Sequence, residues 1–402
     1  MSLRDLLLLN NPWWEGSESP YLADWKAKEL RWRPAWLSSL NLTPTSLNII
    51  VGPRMVGKTT SIHLLISELL EGGADPRSLF YLNLDLAADI ETFRLLLHQY
   101  LEIKRSLGLR NCYLFLDEVT SIKDWWKVVK GYVDAGAFRN DVLVLTGSSS
   151  LRLKGEAELF PSRMGGGSEV VAWPLSFREY LSVRGIAVEQ RNGFDTSHLV
   201  PLSGRISGLF EEYMAVGGYP LSVNGDPRAL EYAIRSVEGE VLRVGRDRGL
   251  AKEVISSLMR KAPSPVSYSS IGGDISISHR TVREYLELLE ALMLLGQAPL
   301  LESGRVVWRK ERKFFFLDTF MAKALSLWTA SPYLESAAYE WVVQAHLLRR
   351  FGSIYYYRDS YEIDAIAGPL KVEVKVGKPH RRYPKDALIL DSDDLPLFLA
   401  LL

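Results

Sequence analysis

Between residues 46 and about 180, short apolar runs alternate with segments of helical period. "SLNIIV", "LFYLNLD", "CYLFLD" and "VLVLTG" are apolar on both faces, as strands buried on both sides of a parallel sheet should be. Helical stretches such as "TSIHLLISELL" lie between them. The alternation predicts a three-layer α/β domain. Residues 200 to 330 read mostly helical, and "PVSYSSIGGDISISHRTVREYLELLEALMLLGQ" within them has the grammar of a winged helix. A short helix and a polar turn precede an amphipathic helix from about 279 to 294, with Leu286, Leu288, Leu289 and Leu292 on its apolar side. From 336 the pattern becomes a helix, three strands and a further short strand. Upstream, residues 11 to 36 are rich in tryptophan and charge, and predict an arm and helix leading into the first strand. Tryptophans packing that arm onto the next domain are the commoner outcome, a nucleic-acid platform the sharper one.

Length and composition narrow the class. A chain of 402 residues is too long for one ordinary core, so two or three domains are expected. Apolar residues at 47% and charged residues at 24% are ordinary globular values. Cys112 is the one cysteine, which excludes an internal disulfide and a cysteine-built metal site, and points to a reducing interior. The start "MSLRDLLLLNNPWW" has no signal-peptide pattern, and no run approaches the ~20 apolar residues of a membrane span. A cytoplasmic, membrane-free protein is the expectation. Lysine plus arginine and aspartate plus glutamate both number 48, so any nucleic-acid contact must rest on a local patch.

"GPRMVGKT" fits G-x-x-x-x-G-K-[ST] at Gly52, Gly57, Lys58 and Thr59, after a strand and at the start of a helix. Such glycines let backbone N–H groups close around phosphate, and the helix N-terminus adds partial positive charge. Gly52, Pro53, Arg54, Val56, Gly57, Lys58, Thr59 and Thr60 are therefore the expected ATP contacts, with Lys58 on the β and γ phosphates and Thr59 on Mg²⁺. "CYLFLDEVT" ends in Asp117, a second magnesium ligand, and Glu118, placed to activate the attacking water. Ser148 or Thr146, at the end of the next strand, would sense the γ-phosphate. Arg152 or Arg163 would neutralise transition-state charge, in cis or from a neighbouring copy; Arg163 is preferred.

Near the end, "YEIDAIAG" and "LKVEVKVG" are alternating strands joined at Gly368-Pro369. A two-residue loop pairs positions whose numbers sum to 737, which sets Asp364 opposite Glu373 and Glu362 opposite Lys375. Like charges directly across a sheet repel unless a cation lies between them. Carboxylates are hard ligands suited to Mg²⁺ or Mn²⁺, Lys375 would polarise a water, and Glu340 on the preceding helix would complete the site. The arrangement is similar to the D…E-x-K constellation of restriction-endonuclease-like nucleases. The other reading is a solvated face whose charges neutralise one another. In the middle of the chain, residues 241 to 313 carry 13 lysines and arginines against 8 acids. Arg280 and Arg283 on the recognition-type helix, with Arg309 and Lys310 in "WRKERK", are the candidate DNA contacts. The six histidines show no zinc spacing, and no G-x-S-x-G elbow occurs.

Over nearly its whole length the chain resembles the prokaryotic AAA-type ATPases that join a P-loop domain to a winged helix and a restriction-endonuclease-like domain. The signposts are "NPWW", "GPRMVGKTT", "LFLDE", "TGSSS", "WPLSFREYL", "EEYMAVGGYP", "RKFFFLD" and "EIDAI…VEVKVG". The resemblance implies ATP hydrolysis in an AAA+ domain, with nucleic acid as the suspected partner. It departs at "PSRMGGG", where the family reads Gly-Arg, which bears on Arg163. The expected layout is an aromatic arm to 45, an AAA+ ATPase domain at 46–180, a helical lid or linker at 181–260, a winged helix at 261–332 and a nuclease-like domain at 333–402. Two functions compete: an ATPase acting on DNA, with ATP/ADP and magnesium as cofactors and Mg or Mn in the last domain, and a signalling or scaffold ATPase, possible as a homo-oligomer, that binds protein and has an inactive hairpin.

Overall fold

The computed structural model describes residues 2–147, 162–189, 193–375 and 385–402. Ser148, Arg152 and His380 lie outside the described residues. The chain divides into two units, residues 1–173 and 174–402.

In the first unit, β1 (Ser46–Val51), β2 (Leu79–Asn83), β3 (Tyr113–Asp117), β4 (Val142–Thr146) and β5 (Glu169–Val171) form one parallel sheet in the order β2-β3-β4-β1-β5. Every residue of β1 and β4 is buried, which is why these runs show no alternation. Because β4 lies between β1 and β3, its last residue, Thr146, stands between the loop after β1 and the acid that ends β3. Ligands of such sheets bind beyond the carboxyl ends of the strands.

The N-terminal arm closes the open edge of β2. The Asn11 amide donates to the Tyr81 carbonyl at 2.9 Å and accepts the Tyr81 N–H at 2.7 Å, as a neighbouring strand would. Asn10 accepts the Asn83 N–H at 2.9 Å, and the indole N–H groups of Trp13 and Trp14 both donate to the Leu79 carbonyl at 3.0 Å. Unpaired edge groups invite intermolecular pairing, and this arm removes them. Trp13, Trp14 and Trp36 belong to the buried core of the unit, so these tryptophans pack.

In the second unit, β6 (Leu295–Glu302), β7 (Arg305–Phe316), β8 (Tyr355–Arg358), β9 (Glu362–Ala367), β10 (Leu370–Val374) and β11 (Leu388–Leu390) run in the order β11-β10-β9-β8-β6-β7. β6 and β7 form an antiparallel hairpin, and β6 pairs with β8 through Leu300 and Tyr356. The β6–β7 hairpin and the C-terminal strands thus share a sheet that runs across position 332. The helix pair is present as Tyr268–Ile275 and His279–Ala291, with Ser278 accepting the Thr281 N–H at 3.1 Å as the cap. Val282, Tyr285, Leu286, Leu288 and Leu289 form the buried face. The helix stops at Ala291 rather than 294, because Met293 takes a φ of +55° and turns the chain into β6.

Residues Leu370, Lys371 and Val372 pair with Ala367, Ile366 and Ala365, the register expected of the two-residue turn. Gly368 has a φ of +53°, and a Cβ there would meet the Phe351 ring at 2.5 Å. The helix Glu335–Phe351 packs on β7 and β9. Among the described residues, no helix is long and apolar enough to cross a membrane.

Candidate functional site

The loop after β1 is held tightly before the helix Lys58–Glu71. Gly52 approaches Ala172 so closely that a Cβ would lie 2.6 Å from its carbonyl oxygen, and Gly57 has a φ of +92°. Both glycines are therefore required by geometry. Lys58 is buried, and its ammonium donates to the Gly52 and Pro53 carbonyls, each at 3.0 Å. Pro53 and Val56 are buried, Thr60 is half-buried, and Arg54 is exposed at the loop's outer side.

The helix and β3 meet at Asp117, which is fully buried. Thr59 Oγ1 donates to Asp117 Oδ2 at 2.6 Å, and the Tyr81 hydroxyl donates to the same oxygen at 2.8 Å. Thr146 Oγ1 donates to Asp117 Oδ1 and accepts the Glu118 N–H at 3.1 Å. Glu118 is half-buried with a φ of +50°, an uncommon conformation for a non-glycine residue. Burial raises its carboxyl above the usual carboxylate range; Asp117 adds to that, and Lys58 and Arg54 oppose it. The structure thus brings together Gly52, Lys58, Thr59, Asp117, Glu118 and Thr146. Tyr81 was not foreseen, since a tyrosine inside "LFYLNLD" reads as an ordinary strand residue.

Behind this cluster, His63 is buried between Tyr21 and Tyr81, with ring centroids 4.7 and 4.5 Å away. Burial pushes its pKa down to about 4, so the imidazole is neutral at pH 7.

Arg163 sits elsewhere. It forms a two-pronged pair with Asp134 at 2.6 and 3.2 Å. The adjoining backbone is pinned to the start of β1, through Leu47 N–H to the Met164 carbonyl at 2.9 Å and a Ser46–Gly165 bridge. That is the amino end of the sheet, about five residues, or roughly 16 Å, from the phosphate loop. The expectation of a cis role for Arg163 is corrected on this ground.

The C-terminal hairpin holds a second cluster. Asp364, Glu373 and Glu340 are buried, as is Lys313 of β7. The Lys313 ammonium lies 2.5 Å from Asp364 Oδ1, 2.7 Å from Glu362 Oε1 and 3.3 Å from Glu340 Oε2. Asp364 Oδ2 accepts the Val374 N–H at 2.9 Å, Glu373 Oε2 accepts the Asp364 N–H at 3.1 Å, and Glu373 Oε1 pairs with Lys375. Glu362, expected opposite Lys375, pairs instead with Lys313, because Lys375 lies past the end of β10 and bonds through its N–H to the Leu390 carbonyl at 2.8 Å. Burial works against the Lys313 charge, but Glu340, Asp364 and Glu362 hold its pKa well above the ordinary lysine value. Burial, and then the Asp364 charge, push Glu373 up to about 7.

A divalent cation does not fit this arrangement. The cation facing Asp364 is the Lys313 ammonium and the one facing Glu373 is Lys375, and among the described residues no group of three His, Cys, Asp or Glu side chains forms a metal cage. Lys313 was missed from sequence because its partners are 27 to 51 residues away and nothing local marks the lysine of "RKFFF".

On the helix pair, Arg280 and Arg283 are exposed, but each pairs along the helix, with Glu284 at 3.4 Å and Glu287 at 2.7 Å. On β7, Lys310 pairs with Glu302 at 3.0 Å, and Arg309 is exposed beside Trp308.

The five-stranded parallel sheet carries a phosphate-loop motif and an acid cluster at its carboxyl end, and residues 45–181 match the family model of an AAA domain. Residues 207–331 match a domain of unknown function. An uncharacterized protein of Haemophilus influenzae is 25% identical over 372 residues, 87% of each chain. Among solved structures, the ORC2 protein of Aeropyrum pernix, in ADPNP–ADP complexes, is 15% identical over 73% of this chain and 90% of its own, with a TM-score of 0.39. The ORC1 protein of the same organism, solved in complex with DNA, is 17% identical over 70% and 86%, with a TM-score of 0.31.

Proposed function

We propose that this protein is an ATP-hydrolysing AAA+ switch that acts on DNA. The observation that carries the ATPase reading is the 2.6 Å hydrogen bond from Thr59 to Asp117, which joins the phosphate-loop hydroxyl to the acid at the end of β3. Both offer hard oxygen atoms, so these are the residues that would hold magnesium. Magnesium bound there would neutralise charge on the β- and γ-phosphates. The loop amides around Gly57 and the helix N-terminus receive phosphate oxygens. Lys58 exchanges its two carbonyl partners for phosphate. Glu118 orients the attacking water and accepts its proton, while Thr146 aims Asp117 and holds the Glu118 backbone. Arg163, at the far end of the sheet, is left to serve a neighbouring copy.

The helix pair and wing support DNA as the partner through exposed Arg280, Arg283, Arg309 and Lys310. A protein partner is the second reading, favoured by the glutamates that neutralise Arg280, Arg283 and Lys310. The C-terminal hairpin is read as a nuclease-like fold used for binding without cleavage, on the strength of the lysines that pair with its carboxylates. The test is ATP turnover and duplex binding across a salt series. Replacing Arg280 and Arg283 with Glu should weaken binding and lower the log–log salt slope by roughly 2. An unchanged slope would reject these arginines as phosphate contacts and favour the protein partner.

A further inference from the structure

We propose that Lys313 is the resident cation of the C-terminal carboxylate cluster, standing where a divalent metal would otherwise bridge the hairpin. This rests on the nuclease-like reading of the hairpin and is independent of the ATPase. An ammonium has three N–H donors, and Lys313 has three carboxylate partners: Asp364 at 2.5 Å, Glu362 at 2.7 Å and Glu340 at 3.3 Å. They come from β9 and from the helix Glu335–Phe351, so one side chain of β7 ties together two further elements.

The remaining oxygens also have partners. Asp364 and Glu373 each take a backbone N–H from the opposite strand, and Glu373 also takes Lys375. Backbone pairing between β9 and β10 is recorded from Leu370–Ala367 to Val372–Ala365, and beyond it these two carboxylates accept the N–H groups. A magnesium ion needs oxygens at about 2.0–2.1 Å in near-octahedral order, and at Asp364 it would face the ammonium that stands 2.5 Å from Oδ1. Two buried cations sharing one carboxylate would repel strongly. Lys313 and metal are thus alternatives.

The lysine's neighbours explain why it stays. Asp364 and Glu340 are both at least nine-tenths buried, and removing Lys313 would take away the ammonium that pairs with both. A metal ion is the natural replacement. Lys313→Met, which keeps the length of the side chain and removes its charge, should therefore turn a metal-free cluster into a divalent-cation site.

The experiment is calorimetric titration of Mn²⁺ into nucleotide-free full-length protein, with Asp364→Asn as the control that separates this cluster from Thr59 and Asp117. Wild type and Asp364→Asn should take up the same amount of Mn²⁺. Lys313→Met should bind one further equivalent that wild type does not, and lose it when Asp364→Asn is added. Lys313→Arg should remain without that equivalent. An Asp364-dependent Mn²⁺ site in wild type would overturn the proposal, and if metal-dependent nicking came with it, would replace the binding-only reading with a nuclease. A folded Lys313→Met that gains no Mn²⁺ would also overturn it, while leaving the binding-only reading intact. Should Lys313→Met fail to fold with or without Mn²⁺, wild type against Asp364→Asn decides alone: equal uptake supports the proposal and a difference rejects it.

Discussion

Thr146→Val isolates the one hydroxyl that joins the two acidic residues of the nucleotide site. Valine preserves the shape of the buried side chain but can neither donate to Asp117 nor accept the Glu118 N–H. A hydrogen bond to a charged group is worth about 1.5–3 kcal/mol. The Glu118 N–H keeps a second acceptor in Asp117 Oδ1 at 3.1 Å, so the loss falls mainly on the Asp117 contact. A stability loss of about 2 kcal/mol is expected. The effect on turnover has a separate origin. Glu118 occupies a left-handed conformation that costs on the order of 1–3 kcal/mol and persists only while its surroundings impose it. Without the Thr146 hydroxyl Asp117 Oδ1 loses its anchor, and with it the acceptor that holds the Glu118 backbone, so kcat should fall about 10- to 100-fold, or roughly 1.4–2.8 kcal/mol in the barrier. KM for ATP should stay near wild type, because Gly57, Lys58 and Thr59 are untouched. Phosphate-release kinetics measure the first quantity and nucleotide titration the second. Thr146→Ser should restore most of the rate. A Thr146→Val enzyme with kcat within about twofold of wild type would show that another group positions Glu118.

Two further outcomes follow from the same geometry. Lys58→Ala should weaken ATP binding about 10- to 100-fold, the loss of charge-assisted contacts of ~1.5–3 kcal/mol, and nearly abolish hydrolysis; tight binding by titration would contradict this. His63 and His346 are held neutral by burial, each with a pKa of about 4 against an ordinary value of 6.5. Because the folded values are depressed, their stabilising effect is present above pH 6.5 and lost as pH falls toward 4. Between pH 7 and pH 5 each should cost about 2 kcal/mol, so His63→Phe should shrink the acid-induced loss in denaturant titrations by that amount.

Features set by neighbours along the chain were legible in the sequence. The phosphate loop, the buried parallel strands, the paired helices and the hairpin register all depend on local pattern, and Gly368-Pro369 alone aligns β9 with β10. Features set by partners far away were not. Asn10 and Asn11 look like ordinary cap residues, yet they replace a missing strand beside β2 some 70 residues on. Lys313 looks like one more charge in a basic run, and only the folded sheet sets it against Asp364. The cis role of Arg163 was illegible for a related reason: its distance from the loop in sequence says nothing about which end of β1 it reaches. The Asp-Glu pair was readable as a site because the phosphate loop accompanied it, whereas Tyr81 had no such companion.

The central claim is that Thr59, Asp117 and Glu118 form a working hydrolytic site, and a single-turnover comparison of wild type with Glu118→Gln tests it most directly. Both proteins would be loaded with limiting Mg-ATP, and bound nucleotide and released phosphate followed in the same samples. Both should bind ATP with similar affinity, since Lys58, Thr59 and Asp117 are unchanged. Wild type should then release phosphate, and Glu118→Gln should do so about 10²–10⁴-fold more slowly, the range expected when a general base is lost. Equal rates of phosphate release in the two proteins would contradict the account.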